Sequence, residues 1–274
     1  MEILPHPADS IDLERAFGGV IRLYGRDGFE RIRAAHGIVV GIGGVGSWAA
    51  EALARSGLGR ITMIDMDVVA ESNLNRQAHA TVATLGANKV DAMRARIQSF
   101  APSVQVDVVD DFLTPDNVGA LIPSDTAFVI DAADKMRAKV AIVLHCLSQK
   151  IPLITCGSAG GKTDASRLMV DDLTFTEQDA LLAKLRVDLR QNHGFPRGKK
   201  KFHVAAVFSP EPPAQAPIGG GAGLACAGYG SAMHMTASMG MLAAGHALTL
   251  TATTRGDAAL AVVNVEARDV ARAT

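Results

Sequence analysis

Cysteine is scarce in this chain. Its 274 residues hold three, Cys146, Cys156 and Cys226, and none stands in a C-x-x-C pair. That excludes a disulfide framework and a zinc cage built from such pairs. It agrees with reduced thiols in a cytoplasmic protein. Net charge is lacking too: 27 Lys and Arg against 28 Asp and Glu leave −1 at pH 7. No global field draws the chain to nucleic acid, so any contact with RNA has to come from a local patch. The opening residues, MEILPHPADS, carry neither a basic n-region nor an apolar h-region, and no secretory leader is expected there. From Ile218 to Thr254 there is no Asp, Glu, Lys or Arg. A membrane span needs about 20 apolar residues. This stretch, however, is dominated by Gly, Ala, Ser, Thr and Met and contains His234 and His246, so it reads as a tightly packed buried helix rather than a stable membrane insertion.

What is present is the material of a core, with 48% hydrophobic residues. Short apolar runs alternate with helical patterns. Strands are expected at 37–42, 60–65, 104–110, 127–132 and 151–156, and helices at Gly44–Ser56, Ala87–Phe100 and Lys135–Gln149. This β-α-β-α order predicts an α/β fold with a doubly wound, mostly parallel, Rossmann-like sheet. After Gly161 the pattern changes to strands in RLMVDDL and HVAAVFS with a helix, Glu177–Asn192, between them. No internal repeat is visible. One fold over 1–274 is expected, with a nucleotide-binding core at 15–160 and a C-terminal α+β elaboration at 161–274.

Gly41, Gly43 and Gly46 follow the first apolar run, and Asp65 ends the second. This is a phosphate-binding turn: one glycine for the turn, one for the approach of phosphate, one for helix packing, and an acidic side chain for ribose hydroxyls. Such a loop suits NAD and ATP alike. The residues behind it decide. DMDVVAESNLNRQ supplies Asp67, Asn73, Asn75, Arg76 and Gln77, and Lys89 opens the next helix. An NAD site neutralises its pyrophosphate with backbone N–H groups, whereas chemistry at the α-phosphate of a triphosphate needs cations. Arg76 and Lys89 therefore read as triphosphate ligands. DAADK places Asp131 and Asp134 at a strand end, where a carboxylate suits Mg²⁺.

The series GIGGVG, DMDVVAESNLNRQ, Lys89 and DAAD resembles the ThiF/MoeB/HesA superfamily of ubiquitin-activating-enzyme-like adenylyltransferases. The resemblance implies that Gly41, Gly43, Gly44, Gly46, Asp65, Asp67, Asn73, Arg76, Gln77 and Lys89 surround ATP. It also implies that Asp134 holds Mg²⁺ and that Arg76, Lys89 and Asp134 carry the adenylation of a carboxylate. Within the superfamily, FGGVIRLYG (17–25), GVGSWAAEALARSG (44–57), DDFLTPDN (110–117), GSAGGKTD (157–164), VAAVFSPE (204–211) and GLACAGYGSA (223–232) resemble the tRNA threonylcarbamoyladenosine dehydratases. That resemblance implies ATP-dependent cyclodehydration of N6-threonylcarbamoyladenosine at position 37 of tRNA. It further implies a homodimer in which Arg22 reaches the partner's ATP, a monovalent cation (Na⁺ or K⁺) near Gly157–Lys162, and a cysteine desulfurase or sulfur-acceptor partner for Cys226. The rival reading is an adenylyltransferase for the C-terminal glycine of a ubiquitin-like sulfur carrier. PRGKKKF puts Arg197, Lys199, Lys200 and Lys201 in seven residues flanked by Phe195 and Phe202, a candidate contact for tRNA phosphates. His193, His203, His234 and His246 lack metal-ligand spacing.

Overall fold

A computed structural model describes residues 11–214 and 229–253. Cys226, the run Gly219–Gly221 and the start of the uncharged stretch lie outside the described residues. Seven strands, β1 (His36–Val40), β2 (Arg60–Ile64), β3 (Gln105–Val109), β4 (Phe128–Asp131), β5 (Leu153–Cys156), β6 (Met169–Asp172) and β7 (Ala205–Phe208), form one sheet. Its order is β3-β2-β1-β4-β5-β7-β6. Every neighbouring pair is parallel except β6 with β7, which is antiparallel. Each strand is shorter than its apolar run, because the flanking residues turn into loops.

The helices are α1 (Leu13–Ala34), α2 (Gly46–Arg55), α3 (Lys89–Phe100), α4 (Val118–Leu121), α5 (Met136–Gln149), α6 (Ala180–Asn192) and α7 (Met233–Ala252). They cover both faces of the sheet, because successive strand residues point to opposite sides. Val39, Met63 and Ile130 pack with Leu53 of α2, Met93 of α3 and Met239 of α7. Ile38, Val40 and Val129 pack with Ile142 of α5 and Leu185 of α6. With both faces buried, the strands had to be continuously apolar.

Two elements fill out the sequence reading. The uncharged stretch contributes α7, which lies on α2 at close range: a Cβ on Gly240 would stand 2.4 Å from the Val45 carbonyl oxygen. Small residues there are what that approach requires. Among the described residues, no helix is long and apolar enough to cross a membrane. The other element, α1, is broken at Gly25, whose φ of 74° and ψ of 163° are not helical. Its second half packs through Gly28 against Ala252, and the Arg31 guanidinium donates to the Ala252 carbonyl at 2.8 Å. Residues past 161 add β6 and β7 to the same sheet and α7 to its face.

Candidate active site

Strand order reverses between β1 and β4, and ligands of open α/β sheets bind beyond the carboxyl ends of strands at such a point. Gly41 leaves β1 there with φ +85°, and a Cβ on it would meet the Ala132 carbonyl carbon and oxygen at 2.8 Å. A Cβ on Gly46 would lie 1.8 Å from the Gly41 oxygen, so α2 and the loop are in contact. Around Gly43 a Cβ would meet nothing within 4 Å, which is the open side of the turn. No side chain caps α2, leaving its leading N–H groups for an anion. Gly44 lies under α7, 3.0 Å from Thr236 Cγ2 and 3.3 Å from Arg76 Cδ when given a Cβ.

Asp65, just past β2, ties the turn down. One carboxylate oxygen accepts from the Ile42 N–H at 2.6 Å and the other from the Asp67 N–H at 2.8 Å. Burial raises its pKa, while the Lys89 charge and these two N–H groups pull it back. Each oxygen keeps a lone pair for a ribose hydroxyl. Lys89 opens α3 buried, its ammonium 2.6 Å from Asp67 Oδ2. Asn73 is also buried, its amide oxygen accepting from the Ala70 N–H at 3.0 Å. Arg76 is half-buried and donates to the Ser72 carbonyl at 2.6 Å and to Asn75 Oδ1 at 2.9 Å. Its own carbonyl accepts from the Trp48 indole at 2.8 Å, which fixes it to α2. Gln77 is buried, and its amide oxygen has no hydrogen-bond partner among the described residues.

The two aspartates of DAADK separate. Asp131 is fully buried at the end of β4, 2.9 Å from the ammonium of Lys139, itself fully buried on α5. Its carboxylate accepts from the Lys139 ammonium, the Thr155 hydroxyl and the Ala133 N–H, which commits it to the protein interior. Asp134 is exposed in the loop that follows, and its carboxylate makes no hydrogen bond or ion pair among the described residues. Mg²⁺ binds through one or two carboxylates plus substrate phosphates and water. A single free carboxylate on the loop that touches Gly41 fits that requirement. No cluster of three His, Cys, Asp or Glu side chains suited to a metal occurs among the described residues.

Other candidates stand apart. Arg22 is exposed on α1. The basic loop lies at the other end of the strands, before the amino end of β7. α6 starts beside the carboxyl end of β5, where the Ser158 N–H donates to Asp179 at 2.7 Å, and runs down for 13 residues, about 20 Å. The loop leaves its lower end and is built rather than loose. Phe195 and Phe202 meet edge to face at 4.9 Å, and Asp172 accepts from the N–H groups of Phe202, His203 and Val204. Arg197, Lys199, Lys200 and Lys201 are exposed around it. Near Gly157–Lys162, the buried Lys162 ammonium donates to the carbonyls of Gln178, Ser209 and Glu211. Those oxygens are taken by the protein's own cation. Cys146 and Cys156 are buried, which pushes both thiols up to about 12.

Sequence reasoning missed Lys139 and His79. The signal for Lys139 was a lone charge inside the apolar run of α5. His79 is 2% exposed, neither ring nitrogen has a partner among the described residues, and burial, reinforced by the charges of Lys89 and Arg96, pushes it down to about 4. No spacing rule marked it.

The ThiF family model matches residues 18–268. A tRNA threonylcarbamoyladenosine dehydratase of Escherichia coli strain K12 is 45% identical over 245 residues, 85% of this chain and 91% of that protein. The crystal structure of the E. coli tRNA N6-threonylcarbamoyladenosine dehydratase TcdA in complex with ATP is similar with a TM-score of 0.80 at 45% identity, covering 87% of this chain and 94% of that one. A molybdopterin-synthase adenylyltransferase of the same organism is 31% identical over 50% of this chain and 54% of its own length.

Proposed function

This chain belongs to the ThiF family, and we propose that it uses ATP to cyclise N6-threonylcarbamoyladenosine in tRNA. The observation that carries this reading is 45% identity to a dehydratase of that name across 91% of its length; the candidate residues gathered at the switch point support it. The likeness to the molybdopterin enzyme stops at half of either chain, and the C-x-x-C pairs are missing. Both favour the RNA substrate over a ubiquitin-like protein.

The proposed chemistry runs in two steps. The side-chain carboxylate of the modified base attacks the α-phosphorus of ATP, and pyrophosphate leaves. A nitrogen of the same side chain then attacks the activated carbonyl carbon, loses its proton and expels AMP, closing a five-membered ring. The nucleoside loses one water overall. Arg76 and Lys89 are the cations available for charge at the phosphates. Asp65 orients the ribose, and the backbone at Gly43 admits the phosphates. Mg²⁺ held by Asp134 would neutralise the leaving pyrophosphate. Ring closure is intramolecular, so holding the side chain curled supplies much of the rate.

The remaining assignments belong to the same proposal. The loop with Arg197, Lys199, Lys200 and Lys201 contacts tRNA phosphates away from the reacting base. The enzyme is a homodimer, and Arg22, exposed on α1, reaches the partner's nucleotide. A sulfur-transfer partner for Cys226, which lies outside the described residues, enters the proposal through the family resemblance alone. A monovalent cation near 157–162 takes oxygens other than the three that Lys162 holds.

The test is exchange of labelled pyrophosphate into ATP. It should rise with tRNA bearing threonylcarbamoyladenosine and fall to background in Arg76→Ala. Stimulation by a Gly-Gly-ending protein in place of the tRNA would move the assignment to the rival.

A further inference from the structure

The chemistry above uses Asp134 but not the buried pair beneath it. Asp131 closes β4, and Lys139 lies eight positions on, in α5. Both are wholly shielded from water. The Lys139 ammonium donates to Asp131 Oδ2 at 2.9 Å, to Thr155 Oγ1 at 3.1 Å and to the Cys156 carbonyl at 2.9 Å. Thr155 donates its hydroxyl to the same Asp131 oxygen at 2.7 Å. The network therefore joins the carboxyl ends of β4 and β5 to the first turns of α5. The second Asp131 oxygen faces the loop and accepts the Ala133 N–H at 3.1 Å. One residue earlier, Ala132 donates to the Val40 carbonyl at 2.8 Å and touches Gly41.

Asp134 thus follows a residue held by Asp131 and precedes a helix held by Lys139. Pairs buried this deeply seldom add stability compared with apolar residues of similar shape, because desolvation offsets the attraction. A positional role is the better account of why one is here. We infer that Asp131 is a positioning residue for Asp134: through Ala133 it sets where the carboxylate stands beside the glycine loop, and so how tightly the site takes a divalent cation with ATP. The inference rests on the assignment of Asp134 to Mg²⁺ made above.

Two double variants isolate the contact. Asp131→Val with Lys139→Met removes the pair and the acceptor for Ala133. Asp131→Asn with Lys139→Met removes the pair but keeps that acceptor. Calorimetry gives the affinity for ATP with Mg²⁺ and with excess EDTA, and turnover gives the Mg²⁺ concentration at half-maximum. The first variant should need about 10–100-fold more Mg²⁺, the range for lost partners of metal-binding groups, with ATP binding in EDTA unchanged. The second should stay near wild type. Equal shifts in both, or none in either, would overturn the inference. Amide exchange at Ala133 in the unaltered protein, which needs no variant to fold, should be slow; exchange at the rate of a free loop amide would also overturn it. If Asp134→Ala leaves the Mg²⁺ requirement unchanged, the metal assignment itself falls, and this inference with it.

Discussion

The Lys89 ammonium lies 2.6 Å from Asp67 Oδ2, and the Lys89 N–H donates to the Asp67 carbonyl at 3.0 Å. The lysine side chain is 8% exposed and the aspartate 59%. A buried cation is therefore held at the candidate nucleotide site by a carboxylate that faces water. Lys89→Met should lower turnover about 10²–10³-fold, the usual cost of removing a donor aimed at developing charge. Asp67→Asn keeps an acceptor for the ammonium and should cost about tenfold, near 1.4 kcal/mol. Steady-state rates of AMP formation check both. An Asp67→Asn defect larger than that of Lys89→Met would mean that Asp67 acts directly on the nucleotide.

Two glycines of the turn should respond in opposite ways. Gly46→Ala forces a methyl to 1.8 Å from the Gly41 oxygen and should destabilise the fold by about 3 kcal/mol or more. Gly43→Ala meets nothing within 4 Å and should fold normally while binding ATP more weakly, because the methyl fills the space for phosphate. Thermal unfolding and ATP titration separate the two. Unimpaired ATP affinity in Gly43→Ala would place the phosphates elsewhere.

Replacing Lys199, Lys200 and Lys201 with Ala should weaken tRNA binding and flatten the dependence of log K on log[salt] by about 2–3 units. The loop itself should persist, since Asp172 and the Phe195–Phe202 contact hold it and the lysines do not. Turnover at saturating tRNA should change little. A salt slope equal to wild type would make this an ordinary surface loop.

His79 gives the fold a pH dependence with a definite sign. Its folded pKa is pushed down to about 4, below the ordinary value of 6.5. Between those values the unfolded chain binds a proton that the folded one refuses. Stability should fall as pH drops from about 6.5 toward 4, by up to about 3 kcal/mol from this residue. Urea midpoints at pH 7.5 and pH 5 for wild type and His79→Leu test it. The variant should lose part of the acid sensitivity, and an unchanged difference would assign that sensitivity to other groups.

The Rossmann-like half of the fold was legible because parallel strands buried on both faces leave apolar runs, and glycine turns punctuate them. The candidate nucleotide residues stood out because they follow one another in the loops after β1 and β2. What escaped depends on three-dimensional neighbours. The DAADK spacing alone offered both Asp131 and Asp134, the family resemblance pointed to Asp134, and the approach of Lys139 from α5 is what ties Asp131 into the interior. The basic loop was recognisable by charge, but its place at the amino ends of the strands follows from the direction of α6. The uncharged stretch suited a membrane or a core until Gly240 was seen against Val45. His79 had no pattern to betray it.

The most direct measurement is the mass of the modified nucleoside. The protein is incubated with tRNA carrying threonylcarbamoyladenosine, ATP and Mg²⁺, and the tRNA is digested under mild conditions. Loss of one water from that nucleoside, only when ATP is present, is the expected result. An unchanged nucleoside, with ATP turnover appearing only on addition of a small protein ending in Gly-Gly, would contradict it.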